Sequence, residues 1–198
     1  APEGGEGREG QPVRWVSIDD LARYDFPAAN RPIISACQLP STYIVTPSYP
    51  SLGKARKEVA RLLNDYSGMI LLRQPQLSVE RSLYWIDSLL ESLPGLGKRL
   101  MLSGKMFADS SGDRRELVGV ARYDGRVLGV HLPFSVAKSL VERPVPQELK
   151  LAISCHSEQE LLHAQAIKAD FVSLSPVKAT KSHPQAKPLG WSVFREWV

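Results

Sequence analysis

The chain has 198 residues, 43% hydrophobic and 23% charged, the balance of an ordinary folded globular protein rather than a disordered or fibrous one. Its 25 Lys and Arg against 21 Asp and Glu give a net charge of +4. The positive charges are dispersed, which excludes a basic arm for a nucleic-acid polymer and favours a small phosphorylated partner. No apolar run approaches the roughly 20 residues that a membrane helix needs, and the Gly- and Glu-rich start is not a signal peptide. A cytoplasmic protein with no membrane partner is therefore expected. Cys37 and Cys155 form no CxxC pair, and their apolar surroundings predict two buried thiols in a reducing compartment.

Residues 1–40 read as a separate N-terminal piece. Val13–Val16 has the composition of a strand. A helix opens at Ser17, a residue suited to capping, with Asp19 and Asp20 in its first turn. After the turn from Tyr24 to Asn30, Pro32 sits near the start of a second short helix ending around Cys37. Forty such residues cannot bury a core alone, so they belong to something larger. Gln38–Ser41 reads as a linker.

From Thr42 onward, strand and helix signals alternate. Short apolar runs at Tyr43–Thr46, Met69–Leu72, Arg99–Leu102, Leu128–Leu132, Leu149–Ser154 and Phe171–Leu174 recur every 20 to 30 residues or so. That is the spacing of βα units with parallel, buried strands. Helical patterns lie between them: Ser51–Leu63, Ser78–Leu90 with Val79, Leu83, Ile86 and Leu90 on one face, and Leu161–Ile167 after a capping box at Ser157–Glu160. Weaker helices fit Arg114–Arg122 and Ser135–Val141. Tyr43–Thr46 is not followed by a Gly-rich turn, which argues against a dinucleotide-binding Rossmann domain. Six βα units predict an α/β chain, either an open sheet or an incomplete (β/α) barrel. An unclosed barrel leaves the first and sixth strands as apolar edges able to pair with another chain, in the simplest case as a homodimer.

After the sixth strand, residues 173–190 hold Thr180, Ser182, Lys178, Lys181 and His183 in a Pro-rich loop. Hydroxyls, backbone N–H groups and cations at a strand's C-terminal end compose an anion site. Of the other histidines, His131 reads as a satisfied core residue, His156 as a site candidate beside Ser154, and His163 as a packed or solvated helix residue.

The motifs Tyr43-Ile-Val-Thr46, Ile70-Leu-Leu-Arg73, Gly129-Val-His-Leu132, Ile153-Ser-Cys-His156 and Ala169-Asp-Phe-Val-Ser-Leu-Ser-Pro-Val177, followed by Thr180, Ser182 and Pro188-Leu-Gly190, resemble thiamine phosphate synthase and its relatives over residues 42–198. The resemblance implies a TIM barrel joining a pyrimidine pyrophosphate to a thiazole phosphate with Mg²⁺. It carries over Arg73, Ser154, Thr180 and Ser182 as ligand or phosphate contacts, with His183 where a Lys is usual. Arg73 is the one residue retained from the family's Gln-x-Arg-x-Lys. The family's metal-binding acids are replaced by Ser103-Gly104, and Pro133-Phe-Ser-Val136 offers none. Pyrophosphate or a thiazole phosphate is the expected ligand of a degenerate synthase relative that binds no metal of its own. An active synthase and a purely structural barrel are the alternatives.

Residues 1–40 resemble the C-terminal tail of a MutT-type Nudix hydrolase, on Gly7-Arg-Glu-Gly-Gln11, Trp15, Leu21 and Asp25-Phe-Pro-Ala-Ala-Asn-Arg-Pro32. That resemblance implies that Asn30 reads a purine edge, as an amide can. It also implies a Mg²⁺-dependent 8-oxo-dGTP pyrophosphohydrolase whose catalytic box precedes Ala1. The expected organisation is thus a Nudix tail over residues 1–40 and a thiamine phosphate synthase-like barrel over residues 41–198, both truncated. Such a piece is expected to be catalytically inactive by itself.

Overall fold

A computed structural model describes residues 13–104, 120–180 and 187–198. The chain divides into two compact units, Ala1–Leu39 and Pro40–Val198. In the first, Ser17 caps a 3₁₀ turn over Ile18–Arg23, its hydroxyl accepting from the Asp20 N–H, and α1 spans Arg31–Cys37 with Pro32 in its first turn. Val13–Val16 is not a strand, because it has no neighbouring strand to pair with among the described residues of its unit. Trp15, Ile18 and Ile33 are exposed, and so is Cys37, contrary to the expectation of two buried thiols. None of the residues of this unit whose burial is described is fully buried, so the seven-residue helix finds no core among them to bury its cysteine against.

The second unit is a six-stranded parallel sheet in chain order, with strands β1 (Tyr43–Val45), β2 (Met69–Leu72), β3 (Leu100–Ser103), β4 (Gly129–Pro133), β5 (Lys150–Cys155) and β6 (Phe171–Leu174). Each strand pairs with its successor, as expected of repeated right-handed βα units. Tyr43 on β1 and Phe171 on β6 meet edge to face at 5.6 Å although four strands separate them in the sheet. The sheet is therefore curled into part of a (β/α) barrel. β2 is buried throughout, and β3 and β4 at every residue but the last, whereas β1 and β6 are more open, as edge strands are.

Helices cover the convex face. α2 (Leu52–Asp65) and α3 (Val79–Ser92) start at Ser51 and Ser78, whose hydroxyls accept N–H groups of the first turn. α3 buries Ser82, Trp85, Ile86 and Leu89. Of the expected inward face, Ile86 is buried and Leu83 and Leu90 pack against the core, whereas Val79 in the first turn is exposed. The expected helix at Ser135–Val141 shortens to a single turn, α4 (Phe134–Ala137), and most of the one expected at Arg114–Arg122 lies outside the described residues. α5 (Glu158–Ala166) is capped by Ser157, but Glu160 reaches back to the His156 N–H rather than to that of Ser157. α6 spans Gly190–Trp197. Leu72, Leu100, Leu102, Val130, Leu132, Leu151 and Ile153 pack against the helices in one apolar cluster. Gly129 is needed where β4 approaches β5, since a Cβ there would lie 2.0 Å from the Lys150 carbonyl oxygen.

At the N-terminal end of β5 and β6, Asp170 accepts from Arg143 at 2.8 Å and from the Leu151 N–H at 2.7 Å, with both side chains nearly buried. Arg143 also donates to the carbonyls of Leu149 and Lys168. Removing one member leaves a buried charge without its partner. Asp170→Ala is expected to destabilise the fold by roughly 3–5 kcal/mol, against about 1 kcal/mol or less for exposed Asp65→Ala. Denaturant unfolding of both variants checks this, and equal losses would contradict it.

Candidate functional site

In a parallel sheet all strands end at the same side, and in (β/α) barrels that side carries the chemistry. The two-residue alternation fixes what faces inward. Tyr43, Met69, Leu71, Met101, His131, Ala152, Ser154, Phe171 and Ser173 share the concave face, as their register shows. None of them belongs to the apolar cluster beneath the helices.

On this face lies a partly buried polar chain, with buried His131 at its centre, that crosses the sheet. The Tyr43 hydroxyl is 2.8 Å from His131 Nδ1, and His131 Nε2 is 2.7 Å from Ser154 Oγ. Ser173 Oγ donates to Ser154 Oγ at 3.5 Å, and the Tyr43 and His131 rings stack at 5.6 Å. Both ring nitrogens of His131 are thereby satisfied, as expected of a core histidine. Burial pushes its imidazole down to about 4 and the Tyr43 phenol well above its ordinary value. The ring is neutral at physiological pH, and the chain is a set of hydroxyls rather than of charges. Sequence reasoning placed His131 in the core but did not find Tyr43, whose partner lies 88 positions away.

Arg73 follows β2 at the same end. Its N–H donates to Thr46 Oγ1 at 3.0 Å, while its guanidinium is exposed and makes no hydrogen bond or ion pair among the described residues. Ser154 is drawn into the His131 chain. Thr180 is exposed beyond β6. Ser182 and His183 lie outside the described residues. Ser154 is thus in direct contact with the polar chain, whereas Arg73 stands at the strand end without a side-chain bond to it. His156 is turned outward, its Nδ1 2.9 Å from Glu160 Oε2, and His163 Nε2 donates to the Ala137 carbonyl against the Phe134 ring. Asn30 is partly buried at the start of α1 and makes no capping bond. Of two clefts of about 420 Å³, one lies at the N-terminal end by Gly97, Lys98 and Arg126, and the other lies between β1 and α2 and is lined in part by Thr46, Pro47 and Tyr49.

A hard divalent cation needs carboxylate oxygens. Where the resemblance places such groups, the chain has Ser103, Gly104, Pro133 and Phe134. A Cβ at Gly104 would lie 2.1 Å from Leu132 Cδ2 and 3.3 Å from the His131 carbonyl oxygen, so neighbouring atoms occupy the space a side chain would take. Among the described residues no group of three His, Cys, Asp or Glu is placed to hold a metal. The described residues at this end offer Mg²⁺ no such group of ligands.

His131 makes stability depend on pH. An unfolded histidine titrates near 6.5, whereas the folded ring resists protonation until about 4. Between these values the unfolded chain binds the extra proton, so this stabilisation is complete above 6.5 and falls as the pH drops toward 4. The expected slope is on the order of 1.4 kcal/mol per pH unit, absent in His131→Gln. Chemical denaturation between pH 6.5 and 4.5 measures it; parallel slopes in wild type and variant would contradict it.

Among the described residues no helix is long and apolar enough to cross a membrane. Residues 113–198 match the family of thiamine monophosphate synthase, a match that does not include residues 1–112. The chain is also 29% identical over 160 residues, 80% of its own length and 78% of the relative's, to the protein provisionally named thiamine-phosphate synthase 2 of Aquifex aeolicus (strain VF5). The curled parallel sheet, with hydroxyls at its C-terminal end, is thus similar to a thiamine phosphate synthase domain, the family match lying in residues 113–198.

Proposed function

We propose that this domain binds a phosphorylated small molecule, with pyrophosphate or a thiazole phosphate as its chemical type, at the C-terminal ends of its strands. The observation that supports this reading best is the exposed Arg73 guanidinium, uncommitted among the described residues and standing on a backbone anchored to Thr46. A planar, permanently charged fork suits a phosphate, and Ser154 and Thr180 would add hydroxyl donors, with Ser182 and His183 from the following loop. Arg73 is the guanidinium that the resemblance to the synthase carries over. We read the domain as a degenerate relative that binds without synthase turnover, since Ser103, Gly104 and Pro133 stand where carboxylates would hold the metal on the leaving pyrophosphate. The name of the Aquifex relative favours an active synthase instead, and turnover distinguishes the two. The protein is placed in the cytoplasm by the same reading, where such metabolites occur.

Titration calorimetry with pyrophosphate tests the site. Wild type is expected to bind, and Arg73→Ala to weaken binding about tenfold or more, from the roughly 1.5–3 kcal/mol of a hydrogen bond to a charged group. Thr180→Ala should weaken it less. No binding by wild type, or unchanged binding by both variants, would leave the domain a structural scaffold. Formation of thiamine phosphate from both substrates with Mg²⁺, above a no-enzyme control, would establish the active synthase.

The N-terminal unit supports a second reading, as the tail of a Nudix hydrolase with Asn30 at the base. No residue of that unit whose burial is described is fully buried, which suits a segment that packs into a larger domain. In that reading the Mg²⁺ and the nucleotide belong to the hydrolase domain. Asn30→Ala in a protein that hydrolyses 8-oxo-dGTP should raise KM for that nucleotide while leaving kcat nearly unchanged; an unchanged KM argues against the assignment.

A further inference from the structure

Gln74 is fully buried, although nothing in the sequence pattern marks it as a core position. A buried primary amide costs free energy unless its donors and acceptor are matched. Here they are matched by loop backbone and by a second glutamine. Gln74 Oε1 accepts from the Tyr49 N–H at 2.9 Å and from Gln76 Nε2 at 3.0 Å, and Gln74 Nε2 donates to the Pro47 carbonyl at 3.1 Å. Gln76 Nε2 also reaches the Tyr49 carbonyl at 3.3 Å. The loop after β1 and the loop after β2 are thus joined by the side chains of Gln74 and Gln76, with the buried Gln74 amide at the centre. On the other side of Arg73, buried Thr46 accepts the Arg73 N–H. Arg73 therefore sits between two anchors, one on its own amide and one on the next residue, while its guanidinium extends free of side-chain partners among the described residues.

We infer that Gln74 is a positioning residue, which acts with Thr46 to hold the Arg73 backbone so that the guanidinium stands ready at the C-terminal end of the sheet. It touches no ligand itself. A long side chain on a loosened loop spreads over many positions, and each must be given up on binding; a fixed Cα removes part of that cost. The inference rests on the proposed anion site and names the residues that preorganise it.

The experiment is a double-mutant cycle on pyrophosphate binding. Arg73→Ala and Gln74→Leu are each expected to weaken binding, Gln74→Leu by about tenfold, a size typical of supporting residues one layer out from a ligand. The double variant should bind no more weakly than Arg73→Ala alone, because Gln74 has no route to the ligand except through Arg73. Independent, multiplying losses would overturn the inference, and so would full binding by Gln74→Leu. Should Gln74→Leu fail to fold, Thr46→Val supplies the same cycle and Thr46→Ser, which keeps the acceptor, should restore binding; a Thr46→Val loss that persists in the Arg73→Ala background would again overturn it. Failure of the underlying site reads differently: wild type itself then binds no pyrophosphate, and the positioning role falls with it.

Discussion

The hydrogen bond between Tyr43 and His131 links the first strand to the fourth across the concave face, and it can exist only in a sheet that is curled. In a flat sheet of six strands those side chains would stand more than 14 Å apart, at about 4.8 Å per strand. The contact therefore holds curvature and chemistry together. It satisfies an imidazole that burial keeps neutral, and the polar chain continues through Ser154 to Ser173 along the inner face.

The two faces carry different duties. On the convex side, aliphatic strand residues and the stripe of α3 form a continuous apolar cluster, which supplies the non-directional burial that stabilises the fold. At the N-terminal end, Arg143 and Asp170 tie the start of β5 to that of β6 through backbone groups as well as charge. The C-terminal end is polar, with Thr46, Gln74 and Ser154 all committed to hydrogen bonds. This arrangement leaves one end to hold the barrel wall and, in the proposed reading, the other to meet a ligand, the usual division in (β/α) architectures.

The closed space at Gly104 sharpens the comparison with the synthase family. A binding site for an anion survives changes that a metal-dependent reaction does not, because hydroxyls and a guanidinium need only point at the phosphate, while Mg²⁺ requires near-ideal octahedral oxygen geometry. Arg73 and Ser154 remain at their strand ends while Ser103 and Gly104 offer no carboxylate. In the proposed reading, the chemistry of this end is recognition rather than turnover.

The order of strands and helices was legible in the sequence because both depend on local pattern. Met69–Leu72 and Phe171–Leu174 are strands with the expected limits, and Ser51, Ser78 and Ser157 cap helices through bonds made within three residues. Arg73 and Ser154 were legible as strand-end residues for the same reason. Local pattern misled where packing decides: Val13–Val16 has strand composition but no partner strand among the described residues of its unit, and Cys37 has no core to enter among them. Tyr43 and Gln74 carried no sequence signal at all. Their roles arise from partners 88 and 25 positions away, brought within hydrogen-bond reach by the curl of the sheet and by the meeting of two loops. The sequence by itself determined which segments become strands and helices and which residues end them, since those choices are settled over a few neighbouring residues. Only the tertiary structure decided which hydroxyls and amides meet, because burial of a polar group is tolerated solely where a distant partner satisfies it.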